Sequence, residues 1–224
     1  MSSGPADVAW GDAPCDLPGA PYPPAPWIAR SQFWAGLFHA TQPVVLPQGL
    51  RPLLGSHTRA LMLVRYLRGS TLQYDELILA APVWLGRRPG LYIDHIWVNN
   101  LASAWGGRRI WGLPKRLAEF DWTPANASVA DSQGIILRVA LNRQPVRGPR
   151  FPLATASVGR LGERWTWSVF TMRARLGRPG MQVLEMSDRF GFQLATRPVF
   201  SLASRDCAVI FAAPALLGGS GDID

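Results

Sequence analysis

Residues 59–66 read RALMLVRY and residues 71–84 read TLQYDELILAAPVW, two runs dense in leucine, β-branched and aromatic side chains on either side of a Gly69-Ser70 break. Apolar runs of this length bounded by turn residues predict strands. The turn Gly86-Arg87-Arg88-Pro89-Gly90 leads into a third strand over 91–98. Asn99-Asn100 then offers a helix cap, and 101–110 predicts about two helical turns that Gly106-Gly107 should end early. Pro114 steers Leu113 into an extended conformation, so Lys115 is presented from a constrained loop or the start of a strand. Further strands are predicted at 133–141, 153–158, 164–171, 181–186 and 208–212. The fold class is therefore mainly β with a few short helices (α+β). Residues 1–26 carry ten glycines and prolines and predict an irregular arm, whose Trp10 should pack over the domain. Residues 217–224, LGGSGDID, predict a frayed tail. No linker interrupts 27–216, which reads as a single domain.

Composition narrows the class. With 224 residues, 48% of them hydrophobic and 17% charged, the chain can bury an interior pocket without metals or disulfides. No apolar run reaches the roughly 18 residues of a membrane span and the first residues lack a signal pattern, so a cytoplasmic protein without a membrane partner is expected. Cys15 and Cys207 lie far apart without CxxC spacing and are expected as free thiols. His39, His57 and His95 show no metal-ligand spacing, and no nucleophile elbow, P-loop or dinucleotide fingerprint occurs. Neither a metal nor a cofactor is expected. The net charge of +8 is spread along the chain without a long basic run, which argues against nucleic acid and fits solvated faces, subunit contacts or a small anionic substrate.

One residue stands out against that charge. The basic set is 22 arginines and a single lysine, Lys115. Arginine keeps its proton in a protein, whereas a desolvated lysine amine can lose it and attack a carbonyl. The lysine lies in Gly107-Arg108-Arg109-Ile110-Trp111-Gly112-Leu113-Pro114-Lys115-Arg116-Leu117, which resembles the active-site stretch of the acetoacetate decarboxylase family, Gly-Arg-Glu, four residues, then Pro-Lys-Lys-Leu. Tyr74-Asp75-Glu76 followed by Ala80-Ala81-Pro82-Val83 resembles the segment carrying the family's functional glutamate, and Arg30-Ser31-Gln32-Phe33 its Arg-x-x-Phe.

The resemblance implies an antiparallel, cone-shaped β-barrel with peripheral helices, assembled into a homo-oligomer, with a Schiff-base lysine acting on a small β-keto acid. Lys115 would be the nucleophile and Glu76 a group that orients or moves protons. Arg116 would be the neighbouring cation that, with burial, lowers the amine's pKa, and Arg30 the holder of the substrate carboxylate. Acetoacetate decarboxylase is itself a known case of a lysine activated beside another cationic group. Arg109 replaces the family's glutamate and should add charge near the site. The stretch Ala60-Leu61-Met62-Leu63-Val64-Arg65 lacks a further family carboxylate. With arginines gripping the substrate, imine formation should then outrun decarboxylation, and Leu61→Glu should restore it. Aldol condensation or dehydration through the same imine, and a non-catalytic ligand-binding barrel, are the alternatives.

Overall fold

A computed structural model of the protein describes residues 19–141, 148–177 and 180–218. In chain order the strands are β1 (Trp27–His39), β2 (Leu50–Pro52), β3 (Thr58–Tyr66), β4 (Tyr74–Leu85) and β5 (Arg88–Val98). The helix α1 (Leu101–Trp111) precedes β6 (Lys115–Leu117), β7 (Glu119–Trp122), β8 (Asn126–Asp131) and β9 (Gly134–Leu141). Then come β10 (Phe151–Leu161), β11 (Arg164–Ala174), β12 (Met181–Met186), a 3-10 turn (Asp188–Phe190), β13 (Phe200–Phe211) and β14 (Ala215–Leu217).

Seven strands close into a barrel in the order β4-β3-β1-β13-β11-β10-β5, with β5 pairing back onto β4. Every joint is antiparallel except β5–β10, which is parallel. A second sheet, β12-β9-β8-β7, lies off this ring. It explains the muted alternation of β3 and β4. Leu61, Leu63, Leu77 and Leu79 point out of the barrel and are almost wholly buried in one cluster with Val129, Leu137, Val139 and Met181 of the second sheet. Ala60, Met62, Val64 and Tyr66 point the other way, into the barrel. Strands covered on both faces lose the polar half of their period.

The largest strand missing from the sequence reading is β1. Its inward row, Trp27, Ser31 and Phe33, mixes a serine with aromatics, and Arg30, Gln32 and Gly36 interrupt the pattern. Pairing on both edges, with β3 and with β13, supplies what local propensity does not. The short strands β2, β7, β8 and β14 likewise carry no strong signal of their own. The strands placed by the sequence all form, several of them longer. Leu217, placed by the sequence in a frayed tail, instead pairs with Trp165, and the rest of that expected tail from residue 219 lies outside the described residues. The expected packing of Trp10 lies outside the described residues, while residues 19–26 run irregularly into Trp27, whose indole donates to the Pro23 carbonyl at 3.0 Å.

The helix corrects the expectation that Gly106-Gly107 would end it: α1 continues to Trp111. These glycines are there for proximity. A Cβ on Gly106 would strike the Trp27 ring, and one on Gly107 would strike the aliphatic stem of Lys115. Among the described residues no helix is long and apolar enough to cross a membrane.

Candidate active site

The chain between α1 and β6 is fixed at both ends. Asn100 caps the helix, its Oδ1 accepting from the Ser103 amide at 2.9 Å. At the other end Gly112 takes the left-handed conformation with φ 64° and its amide donates to the Gly107 carbonyl. A side chain at Gly112 would be excluded twice, by that φ and by the Arg160 backbone packed against it. Three residues later β6 lies parallel to β5, with Lys115 opposite Ile96. Arg108 of the last helical turn donates from Nε to the Lys115 carbonyl at 2.6 Å. Helix and lysine are thus tied through the backbone as well as by packing.

The Lys115 side chain is 5% exposed and turns into the barrel. Its Nζ lies 2.7 Å from Glu76 Oε1, 3.0 Å from Ser103 Oγ and 3.5 Å from the Tyr74 hydroxyl. Glu76, on β4, is 4% exposed and accepts from the Tyr66 hydroxyl at Oε2 over 2.8 Å. Tyr66 and Tyr74 face each other across β3 and β4, with ring centroids 4.3 Å apart. Burial alone would push the lysine's pKa down, but the Glu76 carboxylate, with Tyr74, holds it above its ordinary value. The Tyr66 hydroxyl is pushed well above the usual phenol range by burial and by Glu76. Burial and Glu76 raise Tyr74 too, against the opposing effect of Lys115. The resting centre is an ammonium–carboxylate pair flanked by two protonated phenols.

This centre opens on a cavity of about 370 Å³. Its wall brings together the sequence-predicted Lys115 and Glu76. Arg30 and Arg116 are absent from it, which corrects both expectations. Arg30 alternates to the exposed face of β1 and lies over Gly69 of the β3–β4 turn. Arg116 follows Lys115 on a strand, so it takes the opposite face, exposed, where its charge acts on Asp131. Arg109 is also exposed, on the outside of α1 over Trp105, and does not charge the site. Among the described residues no cation other than Lys115 lines the cavity. The arginine grip on a substrate therefore loses its physical basis, as does a lowering of the amine pKa by a neighbouring cation, while the lowering by burial is opposed by Glu76. Leu61 points away from the cavity as well, and the inward positions of that strand near the pair are Met62 and Val64.

Sequence reasoning missed Tyr66, Ser103 and Arg108. Tyr66 ends a predicted strand, and Ser103 sits one helical turn upstream of Gly107, the glycine under the lysine stem. The muted alternation of β3 gave no sign of Tyr66, and only the cap at Asn100 hinted at the place of Ser103. Cys207, whose thiol is free, also lines the cavity, where burial raises its pKa and leaves it a small apolar surface. Cys15 lies outside the described residues.

A family model described as acetoacetate decarboxylase matches residues 18–148. The chain belongs to the acetoacetate decarboxylase family. The matched span holds β1 to β9, the helix and the Lys115–Glu76 pair. Solved structures share the fold at low identity. The acetoacetate decarboxylase of Legionella pneumophila superposes with a TM-score of 0.66 at 14% identity, covering 98% of each chain. The enduracididine biosynthesis enzyme MppR, complexed with the condensation product of pyruvate and imidazole 4-carboxaldehyde, superposes with a TM-score of 0.60 at 15% identity, over 98% of this chain and 99% of that one. An acetoacetate decarboxylase-like enzyme from Sphingomonas wittichii RW1 gives 0.58 at 12% identity, over 87% and 94%. A search of curated protein sequences gives no match.

Proposed function

We propose that this acetoacetate decarboxylase-family chain is a Schiff-base lyase that decarboxylates a β-keto acid on Lys115. The observation that carries the reading is a lone buried lysine, 2.7 Å from a buried carboxylate, in a cavity lined by no second cation among the described residues. The proton on Nζ passes to Glu76 Oε1, and the neutral amine adds to the ketone carbon. Glu76, backed by the Tyr66 hydroxyl, returns a proton to the departing oxygen, water leaves, and a protonated imine forms. The bond between the α-carbon and the carboxylate then breaks. Its electrons flow into the iminium, carbon dioxide leaves, and the enamine takes a proton at carbon before hydrolysis frees the ketone and the lysine. A carboxylate held in an apolar cavity beside Glu76 gains nothing from a guanidinium clamp. Loss of its charge relieves desolvation, which favours decarboxylation over storage of the imine.

A second reading is condensation through the same imine. It is supported by the inward row Ala60, Met62, Val64 of β3, which carries no second carboxylate, and by the shared fold of MppR. One experiment separates them. The protein is incubated with β-keto acids, with and without added aldehyde, while carbon dioxide and condensed product are measured and the imine is trapped with borohydride. Trapping at Lys115 with rapid carbon dioxide release supports decarboxylation. Trapping with product only when aldehyde is present supports condensation, and absence of label at Lys115 rejects both. Lys115→Arg should abolish trapping, because guanidinium does not serve as the nucleophile.

A further inference from the structure

The cavity is built for more than four carbons. Tyr66, Tyr74, Glu76 and Lys115, from β3, β4 and β6, cluster on one side of it, and the remaining hydroxyls, Ser31 of β1 and Thr155 and Ser157 of β10, are scattered. The wall opposite, from β10, β11 and β13, is mostly apolar, with Leu153, Phe170, Met172, Leu202 and Val209. Along the barrel the same division holds. Glu76 pairs with Val64, which pairs with Phe33. Two residues on, the rung is Ala35, Met62 and Ile78, and beyond it Leu37 stands opposite Ala60. These two rungs extend the apolar space roughly 13 Å from the carboxylate. At roughly 30 Å³ for each water-sized group, a cavity of about 370 Å³ takes about a dozen such groups. Acetoacetate, with four carbons and three oxygens, would leave about five of those dozen places as empty or poorly hydrogen-bonded space.

From this geometry we infer that the substrate is a β-keto acid whose ketone carries an apolar chain, with a total length on the order of eight to ten carbons once its three oxygens are placed. The inference rests on the Schiff-base reading and names its substrate class. The keto-acid head meets the Lys115–Glu76 pair, and the chain lies along the small and apolar side chains Ala35, Ala60, Met62 and Ile78. Decarboxylation converts it to a neutral methyl ketone. The chain then binds the same wall before and after reaction, and only the charged head changes.

The test is a series of acetoacetate, 3-oxohexanoate, 3-oxooctanoate and 3-oxodecanoate, followed by carbon dioxide release and by borohydride trapping. Each buried methylene is expected to raise kcat/KM about three- to four-fold until the cavity is full. Ala35→Phe, which fills the first apolar rung, should move the optimum to shorter chains. A thermal-shift comparison of 1-decanol with 1-butanol, neither of which forms an imine, reads the cavity without the chemistry. Decanol should stabilise the protein and butanol should not. A flat series, or one led by acetoacetate, with trapping intact overturns the chain-length inference alone. No trapping with any keto acid, together with stabilisation by decanol, overturns the Schiff-base reading and keeps the apolar ligand class. Failure of decanol to stabilise, with a flat series, overturns the inference outright.

Discussion

At the scale of single residues, Lys115 differs from the amine that the sequence suggests. A like charge at Arg116 and burial would together make a neutral lysine. The alternation of β6 sends Arg116 to the other face, and Glu76 at 2.7 Å keeps the ammonium charged. Activation then depends on transfer within the pair. Glu76→Gln keeps the shape but removes the acceptor, and should slow imine formation about 100- to 10,000-fold, read by single-turnover trapping. Arg116→Gln should leave the pH at which trapping sets in unchanged. A clear upward shift in that variant would show that the outer charge reaches the amine after all. That Lys115 and Glu76 share one site was legible because the only lysine and this glutamate both fall on segments that resemble the family's motifs, although their direct pairing was not read. Which way Arg30 and Arg116 point was not, since one residue of strand register reverses a face.

At the scale of elements, β3 and α1 carry the informative tests. Leu61→Glu places a carboxylate between the barrel and the second sheet, among Leu63, Leu79 and Val129, and should cost on the order of 4 kcal/mol, seen as a large drop in Tm. Met62→Glu, one residue on, enters the cavity wall instead and should alter carbon dioxide release more than stability. Reversal of these two outcomes would mean the register of β3 is wrong. In α1, Gly107→Ala improves helix propensity by about 1 kcal/mol yet drives a methyl into the lysine stem. Trapping should fall several-fold in that variant while helix content by circular dichroism is kept. The helix also shows where sequence reading fails: a Gly-Gly pair signals a break by propensity, and only the three-dimensional neighbours, Trp27 and Lys115, reveal that it permits contact. The strand β1 was illegible for the complementary reason, because its stability comes from two partners distant in the chain.

At the scale of the whole molecule, four buried protons among the described residues are held more tightly in the folded chain than in the unfolded one, on Lys115, Tyr66, Tyr74 and Cys207. Each has a folded pKa above its ordinary value, so the folded state keeps a proton that the unfolded state releases. The associated stability is complete below about pH 8.5, the ordinary thiol value, and is lost as pH rises through the folded values. Urea midpoints measured between about pH 9 and 11.5 should fall steeply, and Tyr66→Phe should make the decline shallower by removing one of the four groups. An equal slope in the variant would show that the Tyr66 proton does not couple to folding.

Burial of the lone lysine has a consequence for anyone labelling this protein. Its surface positive charge is guanidinium, so reagents aimed at primary amines find, besides the chain terminus, one side chain, 5% exposed and paired inside the barrel. Acylation by a bulky sulfonated ester therefore works as a clock for breathing: the rate at which the peptide around residue 115 acquires label counts how often the barrel wall parts wide enough to admit it.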